Sequence, residues 1–174
     1  MDVYIEKLQA RDAEGLYKFE LENRSFFEGM VPTRGDDYYN PEFFRKRHEA
    51  LLKEQVEGDA YFYLIKDKDS SIIGRINLVD IDESKKNGYL GYRVGQAHTG
   101  KSIATKALKL LLETVIDKDI KRIKAKTTTN NIASQKVLEK NGFERIAIDN
   151  EEFEMNGQKL NFVYYILTII VSSN

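Results

Sequence analysis

The chain of 174 residues contains no cysteine. That absence excludes disulfides, zinc-thiolate sites and any mechanism that passes an acyl group through an enzyme thiol. Histidine is nearly as scarce. His48 reads as a solvated helix position and His98 as a loop position, and two histidines cannot build a metal site without carboxylate help, so no metal is expected. Charge of one sign is not in excess: 27 Lys and Arg stand against 28 Asp and Glu, a net −1. That balance argues against a dedicated nucleic-acid or membrane partner. No apolar run is long enough to span a bilayer, Tyr164–Val171 being strand length, and nothing at Met1-Asp2-Val3 reads as a signal peptide. A cytoplasmic protein is expected. Internal repeats and low-complexity stretches are lacking too, and the length suits one domain over residues 1–174.

What is present alternates between strand and helix patterns. Val3–Leu8 reads as a strand, and Ala13 to about Asn23 as a helix capped by Asp12. Residues 24–40 break the pattern, mixing aromatics with Gly, Pro and acids, and read as a loop walling an acceptor site. Asn40-Pro41 starts a helix that runs to about Glu57 and stops at Gly58. Ala60–Ile65, Ser71–Ile81 and Gly88–Val94 form an antiparallel meander. A long helix comes next over 102–116, with Ile103, Ala107, Leu111, Val115 and Ala104, Leu108, Leu112, Ile116 each repeating every fourth residue. Ile120–Thr128 is a strand, and the helix from Asn131 stops at Asn141-Gly142. Phe143–Phe153 and Gln158–Ile170 then flank a hairpin turn at Asn156-Gly157.

The loop Thr99-Gly100-Lys101-Ser102 joins a strand to the start of the long helix. Free backbone N–H groups there carry roughly half a positive charge, and Gly100 permits close approach, so the natural guest is a phosphate. Gly95 to Ser102 satisfies G-x-x-x-x-G-K-[ST], the phosphate loop of nucleotide hydrolases. The context disagrees. The next strand, Ile120–Thr128, ends without a carboxylate for Mg²⁺, and too little chain remains after it to complete a parallel sheet.

A second pattern covers more of the chain. Gly91-Tyr92-Arg93-Val94, the stretch Thr99 to Leu108, and the stretch Asn131 to Phe143 resemble the two acetyl-CoA-binding motifs of the GNAT acetyltransferases. Within that superfamily the chain is similar to the branch acetylating N-termini of ribosomal proteins. Two positions depart from the pattern: Thr99 replaces the usual Gln or Arg, and Ser102 a second Gly.

The resemblance implies an α+β fold, with a central mixed, mostly antiparallel, splayed sheet flanked by helices. It implies direct transfer from acetyl-CoA to a primary amine on a protein N-terminus or small molecule, with no nucleic acid and no membrane involved. Homodimers, a habit of the branch, fit the aromatics read as exposed. On this likeness Thr99, Gly100, Lys101, Ser102, Ile103 and Ala104 cradle the pyrophosphate, while Tyr92, Arg93 and Val94 line the pantetheine arm through their main chain. The Val94 N–H polarises the thioester. Asn131 bonds the arm, unless it is simply a helix cap, and Ser134 protonates the departing thiolate. Other members use a tyrosine four residues after that serine position, where this chain has Leu138. Glu152, Glu154 and Glu28 are carboxylates that could take the amine proton, or solvated acids. A non-catalytic acyl-CoA-binding module is the alternative reading.

Charge is uneven along the chain. Residues 1–60 hold 14 acids and 9 bases, net −5, and Gln96–Lys126 holds 8 bases and 3 acids, net +5, by count. Either an acidic acceptor half faces a basic cofactor half, or both are solvated faces.

Overall fold

The computed structural model describes residues 2–170, so Met1, and Val171 at the end of the last apolar run, lie outside it. Among the described residues nine strands and five helices succeed one another. They are β1 (Val3–Lys7), α1 (Ala13–Glu22), α2 (Arg24–Glu28), α3 (Pro41–Glu57), β2 (Tyr61–Asp67), β3 (Ile72–Asp82), β4 (Asn87–Val94), α4 (Ile103–Val115), β5 (Arg122–Thr128), α5 (Ile132–Lys140), β6 (Glu144–Ile148), β7 (Phe153–Met155), β8 (Gln158–Leu160) and β9 (Phe162–Thr168). Seven strands make one sheet in the order β1-β2-β3-β4-β5-β9-β6, and β7 pairs only with β8. Every neighbouring pair is antiparallel except β4 with β5. A sheet with one parallel contact is not the parallel, helix-covered sheet of a nucleotide hydrolase, so the G-x-x-x-x-G-K-[ST] match is an accident of spacing.

Two apolar layers hold the sheet. On one face Ile103, Ala107, Leu108, Leu111 and Val115, the repeating stripe of α4, pack with Ile76, Leu78, Ile123, Val163 and Tyr165. On the other, α1, α2 and α3 bury Leu16, Phe19, Phe27, Phe44 and Leu51 against Phe62 and Leu64. Phe62 and Leu64 pair with Asn77 and Arg75, so β3 turns alternate residues to the two layers. The strand alternation seen in the sequence is this two-sided burial.

Several local expectations are corrected. Asp12 makes no side-chain cap to α1; its carboxylate accepts from the Gln9 N–H at 2.8 Å, closing a single 3₁₀ turn over Ala10–Asp12. Residues 24–40 are partly helical, with α2 and a 3₁₀ turn at Asp36–Tyr39, because Phe27, Tyr38 and Tyr39 are buried core residues that anchor the segment. They are not an exposed aromatic patch. His48 is buried, not solvated, with Nε2 2.9 Å from the Gln9 carbonyl. The long terminal hairpin is split. At Asp149 the backbone N–H still bonds the Phe162 carbonyl, but its own carbonyl accepts from Asn161 Nδ2, and the chain leaves the sheet to form β7 and β8. Asn156 and Gly157, both at positive φ, make their two-residue turn as expected. Asn40 accepts from the Glu42 and Phe43 N–H groups, and Gly58 ends α3 at φ 79°, also as expected.

Among the described residues no helix is long and apolar enough to cross a membrane.

Candidate active site

The site begins where two strands part. β4 and β5 pair only from Asn87 with Arg122 to Tyr89 with Lys124, after which no register joins them. β4 continues to Val94 against β3 alone. The Gly95 N–H bonds the Ile73 carbonyl on the β3 side, so by strand alternation the N–H groups of Val94 and Tyr92 face the open gap. A peptide-like arm entering that gap meets a free strand edge.

At the mouth of the gap lies the start of α4. No hydrogen bond among the described residues uses the N–H groups of Gly100, Lys101, Ser102, Ile103 or Ala104. The last two head a 13-residue helix, where such groups have no partner within the helix. Gly100 sits at φ 76°, which glycine adopts without strain. Ser102 sits at φ 61° and makes no side-chain cap. This is a left-handed position that favours glycine, which accounts for the family's preference there. Thr99 turns its hydroxyl to the Gln96 carbonyl at 3.0 Å. The loop therefore presents main-chain N–H groups, with the Lys101 and Ser102 side chains exposed.

Across the gap stands α5. Asn131 Oδ1 accepts from the Ser134 N–H at 3.1 Å, so this residue is a helix cap. Ser134 Oγ lies 2.8 Å from the Tyr92 hydroxyl. That contact was not legible in the sequence, where Tyr92 figured only through its main chain. Burial pushes the Tyr92 hydroxyl above its ordinary value, against a smaller downward pull from Ser134, so it stays protonated at neutral pH. Leu138 lies in the core, and the hydroxyl beside Ser134 is that of Tyr92 on β4.

Arg93, the next residue on β4, points to the opposite face. Its guanidinium donates to Glu20 at 3.0 Å and lies over the Phe27 ring. Arg75 donates to the other Glu20 oxygen at 2.8 Å and to Tyr38. Glu20 has no exposed surface, and sequence reasoning missed it; an acid inside an otherwise apolar helix face was the available signal. Burial pulls the Arg93 guanidinium down, with Glu20 opposing. Burial pulls at Arg75 too, but Tyr38 and Glu20 prevail and hold it above its ordinary value.

Glu152 lies in the turn before β7 and Glu154 within it, both exposed. Phe153 between them stacks on Phe162 with ring centres 4.5 Å apart, and the hairpin tip reaches α2 through Asn156 Nδ2 to the Gly29 carbonyl at 3.1 Å. Glu28 is tied to Arg24 at 2.9 Å and accepts from Thr33. Among the described residues no cluster of metal-ligating side chains occurs.

The Acetyltransferase (GNAT) domain model matches residues 2–144. The chain belongs to the GNAT acetyltransferases. A probable N-acetyltransferase of Bacillus subtilis (strain 168), YjcK, is 33% identical, the match covering 89% of this chain and 87% of the relative. Among solved structures, the ribosomal-protein-S5-alanine acetyltransferase of Vibrio fischeri superposes with a TM-score of 0.88 at 21% identity, covering 97% of this chain and 93% of that one. RimL, a ribosomal L7/L12 alpha-N-protein acetyltransferase solved in complex with coenzyme A, superposes with a TM-score of 0.86 at 21% identity, covering 96% and 94%. The expected fold, a mostly antiparallel sheet flanked by helices, is the one observed. As a GNAT member the protein is an acyltransferase.

Proposed function

We infer that residues 1–174 act as one domain that moves the acetyl group of acetyl-CoA directly to a primary amine. The observation that carries this is the gap between β4 and β5 opening beside five amides at the start of α4 that have no partner among the described residues. The amides of Gly100 to Ala104 take the pyrophosphate, as a helix start with free N–H groups does. Coulomb attraction from Lys101 adds little, because an exposed ammonium is screened by solvent. The pantetheine arm lies along the free edge of β4 at Tyr92, Arg93 and Val94, and Asn131 keeps its amide NH₂ for the arm while its oxygen caps α5.

The Val94 N–H then points at the thioester oxygen and stabilises the charge that develops on it. The amine nitrogen attacks the carbonyl carbon and the carbon–sulfur bond breaks. Ser134 gives its hydroxyl proton to the thiolate, and Tyr92, 2.8 Å away, replaces it. The ammonium first loses one proton, through water and the carboxylates Glu152 and Glu154 at the rim, to solvent, which frees the lone pair for attack; the second proton, shed by the nitrogen as the tetrahedral adduct collapses, returns through water to Tyr92. Both Glu20 oxygens are held by arginines, so that buried acid is structural.

The test is twofold. Calorimetry with acetyl-CoA beside ATP and Mg²⁺ gives heat from acetyl-CoA alone. Free-thiol release against a panel of primary amines then shows turnover with at least one of them. Tight coenzyme binding with no thiol released from any amine supports the binding-module alternative instead.

A further inference from the structure

The sheet face that carries Arg93 continues past the gap with no helix above it. α1 packs on β3 and α3 on β2, whereas no helix packs on this face of β5 or β9 among the described residues. The register places Lys124 beside Tyr89, Lys126 beside Tyr164 and Thr128 beside Phe162. Ile123 and Ala125 are buried in the α4 layer, so Arg122, Lys124 and Lys126 turn to the uncovered side. Lys124 lies over the Tyr89 ring at 5.7 Å and Lys126 over the Phe162 ring at 4.5 Å.

None of these three cations has a carboxylate at ion-pair distance among the described residues. The covered half of the same face differs: there Lys66 pairs with Glu6, and Arg75 and Arg93 with Glu20. Beside the strip, Phe153 at the start of β7 stacks on Phe162, and its chain neighbours Glu152 and Glu154 are exposed. At the end of the strip nearest the gap the face is open. A Cβ built on Gly91 would meet nothing within 4 Å, and Asn77, paired with Gly91, has a buried Oδ1 without a hydrogen-bond partner.

We propose that the acceptor is a polypeptide N-terminus with acidic side chains among its first residues, its amine beside Gly91 and Asn77 and its carboxylates along Lys126, Lys124 and Arg122. This rests on the acetyl-transfer reading of the same site. Asn77 Oδ1 accepts an N–H of the amine, and the acids of the hairpin attract the incoming ammonium. The unpaired cations then select the side chains carried by the next residues of the acceptor. Lys126 to Arg122 spans about 13 Å at roughly 3.3 Å per residue, the reach of about four extended residues. A polyamine would set its second ammonium against Lys126. RNA would need free ring faces for its bases, and here ammonium groups or a neighbouring ring already cover faces of Tyr89 and Phe162.

Three hexapeptides test this, each with a free N-terminal alanine and then two glutamates, two serines or two lysines, together with spermidine, in low salt. Thiol release is expected to rank glutamate above serine above lysine, with kcat/KM about tenfold apart between the extremes and spermidine below all three. The double variant Lys124→Glu, Lys126→Glu should invert the peptide order, and its heat of acetyl-CoA binding reports that it has folded. Equal constants, a preference for lysine or spermidine, or an uninverted order in the double variant would overturn the proposal. So would a six-nucleotide RNA that competes better than the glutamate peptide. If no amine releases thiol, the acetyl-transfer reading fails by itself, and the same peptide ranking is then read by calorimetry with coenzyme A bound.

Discussion

The two halves of the sheet treat charge in opposite ways. Before the gap, where helices cover both faces, Arg75 and Arg93 close on one buried carboxylate and Lys66 on Glu6. After it, where helices cover only the α4 and α5 side, Lys124 and Lys126 lie over rings and pair with no acid among the described residues. The same side of the same sheet thus carries a solved charge problem and an open one. A guanidinium taken out of water must be matched within the fold. An ammonium left on a wet face need not be, so its charge is free for a ligand.

Breaking the matched half should have the largest effect. Glu20→Ala leaves two guanidinium groups packed in the α1 layer without their carboxylate, and should cost about 3–5 kcal/mol in thermal or denaturant unfolding. Lys126→Ala, in the unmatched half, should stay within about 0.5 kcal/mol of the parent. If the two variants unfold alike, the contrast between the halves is wrong.

The next effect sharpens the contrast at the gap. Ser102→Glu places a carboxylate against the pyrophosphate and should abolish acetyl-CoA binding in a calorimetric titration, whereas Lys101→Ala should weaken it only about two- to threefold, as an exposed charge would. Equal losses would mean that the side chains, not the amides, hold the phosphate.

Tyr92→Phe should lower kcat by about 10²-fold, the scale of one lost proton donor, with little change in KM for acetyl-CoA. Ser134→Ala should do the same, and the double variant should be no worse than either single one, since the two hydroxyls act as one relay. Additive losses would separate them. Tyr92 also has a pH signature. Its folded-state value is raised, so the stability it contributes is complete below the ordinary tyrosine value of about 10 and is lost as pH rises above it. Tyr92→Phe should therefore lose less stability than the parent between neutral and strongly alkaline pH.

Ser102→Gly should have the smallest effect. It relieves a left-handed serine and should stabilise the fold by about 0.5 kcal/mol, glycine's greater freedom in the unfolded chain offsetting part of the relief. Unchanged or lower stability would mean that the serine hydroxyl has a partner when the coenzyme is absent.

Much of this was legible in the residues. The stripe Ile103, Ala107, Leu111 and Val115 marked α4 and its buried face, and the Gly100 loop marked where that helix starts, because both depend on local spacing. What local spacing does not carry stayed hidden. The Tyr92 contact with Ser134 joins residues 42 apart, and Glu20 meets Arg75 and Arg93 across 55 and 73 positions. The net −5 of the first 60 residues does not show which of those acids meet a cation, for the same reason. It is a sum along the chain, while in the fold Glu6 and Glu20 are taken up by Lys66, Arg75 and Arg93 of β2, β3 and β4.

A crystal structure with acetyl-CoA tests the central claim most directly. The pyrophosphate should lie on the amides of Gly100 to Ala104 and the arm along Tyr92 to Val94, with the sulfur within about 3.5 Å of Ser134 Oγ, near-attack distance for proton transfer. Coenzyme bound anywhere else on the molecule, or a nucleoside triphosphate with Mg²⁺ seated at the start of α4, would contradict it.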